Sequence, residues 1–271
     1  ELSNTRVQSR EDVEKMTTIP FIGGVGHKRL DINLEVLSKP KSAISESFRA
    51  LRSNLNYFLQ GKEKGIFLIT SSISGEGKTF TSINLASVFA LSGKKTLIVG
   101  ADMRKPKIFS DFNLDNSTGL SNYLAGLATL EEVTRTTDYP NLDLISGGPV
   151  PPNPSELILS TRMSDFLNKV KAKYDFIFID SPPLALVTDA FVLSGMVDHT
   201  LFIVRQNYTP KPLLRTIDDF YRDGKIKNIS LVLNDIYKSG PGYGYGYSYG
   251  YGYHYGYGYG VSKNSDGGYY E

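Results

Sequence analysis

The run Ser72-Ile73-Ser74-Gly75-Glu76-Gly77-Lys78-Thr79 holds the residues best suited to chemistry in this chain. Glycines let a backbone turn tightly enough for several N–H groups to face one point, and the N-terminus of a following helix adds partial positive charge there. The Lys78 ammonium is a point charge for outer phosphates, and the Thr79 hydroxyl is placed to ligate a magnesium ion. The usual Gly-x-x-x-x-Gly-Lys-Ser/Thr pattern is one residue short, because its first position is Ser72. A chance Gly-Lys-Thr turn is the plain alternative. Context argues against it: the apolar run Ile66–Thr70 precedes the loop, and a helical pattern opens at Thr79 and runs to about Gly93.

A phosphate loop that uses magnesium needs hard oxygen ligands close by. Two strand-like runs end in carboxylates. Phe176-Ile177-Phe178-Ile179-Asp180 finishes in an acid that would hold the ion directly or through water. Thr96-Leu97-Ile98-Val99-Gly100-Ala101-Asp102 carries one just past its end. Singly, each aspartate reads as well as an N-cap of the next turn or helix. Together, at strand ends beside a phosphate loop, they favour a site. The expected catalytic set is Lys78, Asp102 and Asp180. The expected nucleotide-binding set is Ser74, Gly75, Glu76, Gly77, Lys78, Thr79 and Phe80, with Thr79, Asp102 and Asp180 on the metal.

The elements that must position these residues alternate along the chain. Strands are expected at Ile66–Thr70, Thr96–Gly100, Leu142–Ser146, Phe176–Asp180, Thr200–Val204 and Ile229–Leu233, each a short and nearly unbroken apolar run, as strands buried on both faces are. Helical patterns fall at Ala43–Leu59, Thr79–Leu91, Leu120–Leu124, Leu130–Thr134, Ser155–Lys171 and Pro212–Arg222. The alternation predicts an α/β fold: a doubly wound, mostly parallel sheet flanked by helices, with ligands beyond the carboxyl ends of the strands. Residues 42–238 make this body. Residues 1–41, polar and broken by Pro20, Gly23, Gly24 and Pro40, read as a linker or an arm lying on it.

Composition excludes several other classes. A formal charge of +2 and the lack of a long basic run do not imply nucleic acid. Without cysteine there is neither a disulfide framework nor a thiolate metal site. No stretch approaches the ~20 apolar residues of a membrane span. The chain begins at Glu1 rather than Met, which reads as a fragment.

Residues 239–271 form a third zone. Tyr243, Tyr245, Tyr247, Tyr249, Tyr251, Tyr253, Tyr255, Tyr257 and Tyr259 occupy every second position, and Tyr269 and Tyr270 follow. The intervening glycines argue against a strand, and no aliphatic residue seals a core, so a flexible exposed tail is expected. It reads either as a sticky low-complexity segment or as a cluster of phosphate acceptors.

Three of these segments together resemble a known family. Gly75–Thr79, Ala101-Asp102-Met103-Arg104 and Ile179-Asp180-Ser181-Pro182-Pro183 are similar to the Walker A, A′ and B motifs of bacterial tyrosine kinases, which are P-loop kinases related to MinD and ParA. Glu46, Arg49 and Arg52 resemble that family's oligomerisation motif. The segment Gly147–Leu157 resembles its proline-rich loop and following helix, and the tyrosine cluster resembles its autophosphorylation tail. The resemblance implies a P-loop NTPase fold, ATP and ADP as nucleotide, Mg2+, and phosphorylation of tail tyrosines. It assigns Asp102 to the metal shell or to the incoming tyrosine hydroxyl, and Asn234 to the adenine. It also implies a homo-oligomeric ring, an octamer, built through Glu46, Arg49 and Arg52; from spacing alone these would be a solvated helix face with an internal ion pair. The partners it implies are a transmembrane co-polymerase or activator segment, in the same or a separate chain, and a tyrosine phosphatase. The implied setting is the cytoplasmic face of the bacterial inner membrane, in capsule and exopolysaccharide export.

The family's A′ motif usually reads Asp-x-Asp-x-Arg, and its first acid is Gly100 here. Ile73 stands where MinD-like ATPases carry a signature lysine. Besides the autokinase, two alternatives stay open: a MinD- or ParA-like ATPase switch, and a nucleotide-binding structural regulator whose kinase activity has weakened at Gly100.

Overall fold

The computed structural model describes residues 5–28, 32–59, 61–184 and 189–237. All of these lie in a unit spanning residues 1–239. The eleven tail tyrosines, Tyr243 to Tyr270, fall outside the described residues.

An eight-stranded sheet runs in the order β1-β8-β7-β2-β6-β3-β5-β4. Its strands are β1 (Phe21–Gly26), β2 (Gly65–Ser71), β3 (Thr96–Gly100), β4 (Arg135–Thr136), β5 (Leu142–Ile145), β6 (Phe176–Asp180), β7 (His199–Arg205) and β8 (Ile229–Ile236). Every pairing is parallel except that of β4 with β5. The expected mostly parallel α/β sheet is therefore present. β2 lies between β6 and β7, with β3 beyond the first and β8 beyond the second, so its carboxyl end opens at a topological switch point.

Burial on both faces explains why the central strands are unbroken apolar runs. Phe67, Leu68 and Ile69 of β2 and Phe178 and Ile179 of β6 are all fully buried. The rings of Phe67 and Phe178 stack with centroids 5.2 Å apart. Removing one such ring costs about 3–5 kcal/mol, transfer and cavity terms together. The helix Lys78–Ala90 packs almost entirely out of water, and Asn84 and Ser87 find hydrogen-bond partners within the fold, whereas the buried Thr81 hydroxyl has none among the described residues. Asn84 accepts from the Val36 N–H at 2.8 Å and donates to the Asn33 carbonyl at 2.6 Å.

The sheet begins earlier than the sequence indicates. Residues 1–41 are not merely an arm, because they supply a helix, Arg10–Met16, and the edge strand β1. The glycines taken as breakers are what allow β1 to pair. A side-chain carbon at Gly24 would lie 2.4 Å from Ile236 Cδ1, and one at Gly23 2.8 Å from Leu51 Cδ2. Val7, Val13, Ile19, Ile22 and Val25 are buried. The helix expected over Ser155–Lys171 is two, Pro154–Leu159 and Thr161–Lys173, divided at an extended Ser160. Serine hydroxyls compete for backbone groups and favour such breaks.

Candidate active site

Four strands deliver the site at their carboxyl ends. β2 runs into the loop Ser72–Gly77, β6 ends at Asp180, β3 leads to Asp102, and β8 carries Asn234 and Asp235. Asp102, Asp180, Asn234 and Asp235 line a cavity of about 420 Å³, together with Gly26, Lys28, Arg205 and the segment Lys105–Ile108. Ser74, Gly75, Gly77, Lys78, Thr79 and Phe80 are on its wall. Gly75 and Gly77 have φ of +89° and +98°, the left-handed region that glycine enters without strain.

Lys78 and Asp180 are both buried on the cavity wall, close enough for each charge to act on the other. Lys78 is buried, and its Nζ donates to Ser71 Oγ at 3.1 Å. Burial lowers its pKa below the ordinary lysine range, while Asp180, Glu76 and Asp102 pull it back up. Thr79 Oγ1 donates to Asp180 Oδ2 at 2.7 Å, and Ser82 Oγ lies 3.4 Å from Oδ1. Burial pushes the Asp180 carboxyl up to about 6, against the pull of Thr79 and Lys78. Asp102 is half-buried on the cavity wall, where its carboxylate also accepts from the Lys105 N–H at 3.1 Å. The turn-capping and site readings of this acid are thus compatible.

The donor set fits a nucleotide with magnesium. A cation beside Thr79 and Asp180 would reverse the burial effect on that carboxylate. Among the described residues no group of three or more metal-ligating side chains occurs. An ion here would rely on few protein oxygens, with phosphate and water completing its shell, as magnesium commonly does.

The Glu76 side chain points away from the cavity. It is fully buried and accepts from Ser72 Oγ at 2.8 Å, from the Ile73 N–H at 2.8 Å and from Thr209 Oγ1. Its place in the nucleotide set is therefore through its backbone alone. Asn234 Nδ2 donates to the Glu76 carbonyl at 3.0 Å, and a side-chain carbon at Gly77 would stand 2.0 Å from that nitrogen. Asn234 thus braces the loop from the cavity wall.

A second brace has no counterpart among the sequence-derived residues. Arg205 Nη1 donates to the Gly75 carbonyl at 2.8 Å, and Tyr208 OH to the Ser74 carbonyl at 2.9 Å. Arg205 also pairs with Asp235 at 2.8 Å, and the other oxygen of Asp235 meets His27 Nδ1 at 2.6 Å. These residues stand at the end of β7, the neighbour of β2. The rule that sites lie beyond strand ends was the available signal.

Glu46, Arg49 and Arg52 lie on the helix Ala43–Phe58, outside the cavity. Arg49 pairs with Glu46 and donates to the Pro40 carbonyl at 2.6 Å. Arg52 donates to the Val88 carbonyl at 2.6 Å, which ties this face to the loop helix; burial, then the Arg49 charge, holds its pKa below the usual arginine range.

A family model described as an AAA domain matches residues 65–225. The tyrosine-protein kinase YwqD of Bacillus subtilis is 33% identical over 206 residues, 76% of this chain and 87% of its own length. A putative tyrosine-protein kinase CapB of Staphylococcus aureus is 39% identical over 201 residues, covering 74% and 88%. The solved kinase domain of the Escherichia coli tyrosine kinase ETK superposes with a TM-score of 0.79 at 30% identity, over 89% of this chain and all of that one. Longer relatives are matched in part: the chain spans 34% of the tyrosine-protein kinase ptk of Acinetobacter johnsonii, at 35% identity.

Proposed function

From a chain that belongs to the bacterial tyrosine-protein kinases, with a nucleotide-binding P-loop fold, we propose an autokinase that moves the γ-phosphoryl group of ATP onto tyrosines of its own C-terminal cluster. The observation that carries this reading is the convergence of Lys78, the Thr79–Asp180 pair and Asp102 on one cavity beside the loop.

The loop N–H groups and Lys78 hold the β- and γ-phosphates, so that the γ-phosphorus faces outward. Thr79 and Asp180 would hold a magnesium ion, which would supply charge neutralisation to those phosphates. Asp102 orients the acceptor hydroxyl and receives its proton. The tyrosine oxygen bonds to the γ-phosphorus as the bond to the β–γ bridging oxygen breaks, and ADP leaves with that electron pair. A phenol has a pKa of about 10, so it needs a nearby carboxylate but not prior ionisation.

The acceptors proposed are Tyr243 to Tyr270, presented by one copy to the next in a ring closed through Glu46, Arg49 and Arg52. A head-to-tail contact of this kind closes a ring when its rotation allows. Arg52 would transmit such a contact to the loop helix through the Val88 carbonyl. The resemblance extends the proposal to a transmembrane co-polymerase segment, an opposing tyrosine phosphatase, the cytoplasmic face of the inner membrane, and control of polysaccharide export. In the described residues no helix is long and apolar enough to cross a membrane.

Intact-mass and peptide mass spectrometry after incubation with ATP and magnesium tests the reaction. Phosphotyrosine within residues 239–271 is expected, and Lys78→Met should abolish it without unfolding the chain. Phosphate release with no protein modification would instead establish an ATPase switch.

A further inference from the structure

Gly100 and the segment after Asp102 pose a linked question, because the usual first acid is missing and lysines crowd the same wall. A side-chain carbon at Gly100 would lie 3.0 Å from Ile108 Cγ2 and 3.1 Å from the Gly147 nitrogen. One at Gly147 would lie 3.0 Å from Pro106 Cβ. The two glycines therefore admit the segment Lys105–Ile108 against the ends of β3 and β5. It is fastened at one end by the Lys105 N–H on Asp102 and at the other by Ile108, which is 2% exposed. Between these anchors Lys105 and Lys107 are exposed and line the cavity. Arg104 just before them is committed to Ser155 Oγ at 2.7 Å and to Asp189 at 3.5 Å. No described acid pairs with either lysine.

We infer that Lys105 and Lys107 form a subsite for a phosphotyrosine lying two residues from the tyrosine being modified. The inference rests on the kinase reading above and names a property of its acceptor. In an extended chain, residues two apart lie on one side and are separated by roughly 6.6 Å. Tyr243 to Tyr259 occupy every second position of the sequence without a break. A tyrosine placed at Asp102, if bound extended, sets its neighbour on the same side, in the cavity that Lys105 and Lys107 also line. Unmodified, that neighbour is a neutral phenol. Once phosphorylated it carries about −1.5 to −2 charges and three strong acceptor oxygens, which suit two ammonium groups that no described acid pairs with. Glycine, Ser248 and His254 between the tyrosines leave room for the backbone to approach. Each modification thereby makes the adjacent tyrosine a better acceptor, and modification spreads along a tail already begun.

The test uses the full chain and two synthetic seven-residue peptides of alternating glycine and tyrosine, one bearing a single phosphotyrosine. The primed peptide should show a KM on the order of tenfold lower, the size of one to two charge-assisted contacts. That ratio should shrink in raised salt, because the lysines are exposed. In the Lys105→Ala/Lys107→Ala variant it should fall to about one. A ratio near one in the unaltered chain, or a ratio that survives the double substitution, overturns the subsite. Fluorescence anisotropy with ADP and magnesium reads binding without transfer. A chain that prefers the phosphopeptide by anisotropy yet transfers nothing supports the subsite and rejects the kinase reading. Equal affinity for the two peptides rejects the subsite alone.

Discussion

The two walls of the cavity are built by different physics. On the loop wall, three consecutive residues, Ser74, Gly75 and Glu76, are each held by hydrogen bonds from β7, from the turn after it, or from β8. On the other wall, close contact adds to hydrogen bonding: Gly100, Gly147, Pro106 and Ile108 interlock, and the Gly147 carbonyl accepts from the Ser121 N–H at 3.0 Å. Hydrogen bonds fix direction, so the loop wall keeps its N–H groups aimed at one point. Interlocked surfaces fix distance, which sets how closely the segment Lys105–Ile108 approaches β3 and β5.

Variants that strike one wall alone sharpen this contrast. The largest effect is expected at Asp180→Asn, on the floor between them. Transfer should be lost, and the nucleotide-free chain should gain stability. A carboxyl raised to about 6 from 3.8 stabilises the fold most when protonated. Its contribution is full below about pH 4 and lost as pH rises through about 6, up to about 3 kcal/mol. Thermal melts of both chains should therefore coincide near pH 4 and separate at pH 7. Equal melts at pH 7 would mean that the carboxylate is not destabilised by burial.

Gly77→Ala should rank second. It forces a carbon to 2.0 Å from Asn234 Nδ2 at a backbone φ of +98°, so nucleotide affinity should fall at least tenfold by calorimetry, with a stability loss of about 1–3 kcal/mol. Gly100→Ala meets contacts of 3.0 and 3.1 Å in ordinary backbone geometry. It should cost about 1–3 kcal/mol, as overpacking does, and leave nucleotide affinity within twofold. If Gly100→Ala weakened nucleotide as much as Gly77→Ala, the two walls would not be independent. The smallest change is expected from Tyr208→Phe. It removes one partly exposed hydrogen bond, so the KM for ATP should rise by a few-fold with kcat nearly constant.

What could be read before the structure follows the same division. Phe176–Asp180 and Thr96–Gly100 were legible to the residue, because a strand buried on both faces has no polar positions to blur its ends. That Lys78, Thr79, Asp102 and Asp180 would share one cavity was legible from their places in the loop and at the strand ends. β1 was not: Phe21-Ile22-Gly23-Gly24-Val25-Gly26 looks like a breaker until the approach of Leu51 and Ile236 is known. β4, with two residues, leaves no pattern at all. Thr209 and Tyr208 were hidden for another reason. Their role depends on a loop more than 130 residues away, and no local property of a Tyr-Thr pair records that.

That separation also governs when the chain becomes able to hold nucleotide during its synthesis. The loop Ser74–Glu76 is made early, but its braces are encoded 130 to 158 residues later, the last being Asn234. At roughly 5–20 residues per second, a nascent chain waits on the order of ten to thirty seconds between making the loop and making Asn234. Through that interval the glycines are free to sample many backbone states. The last brace, Asn234, is made only when β8 is translated, just before the tyrosine repeat. A chain still being built therefore lacks the full set of braces on its phosphate loop until its last strand is made.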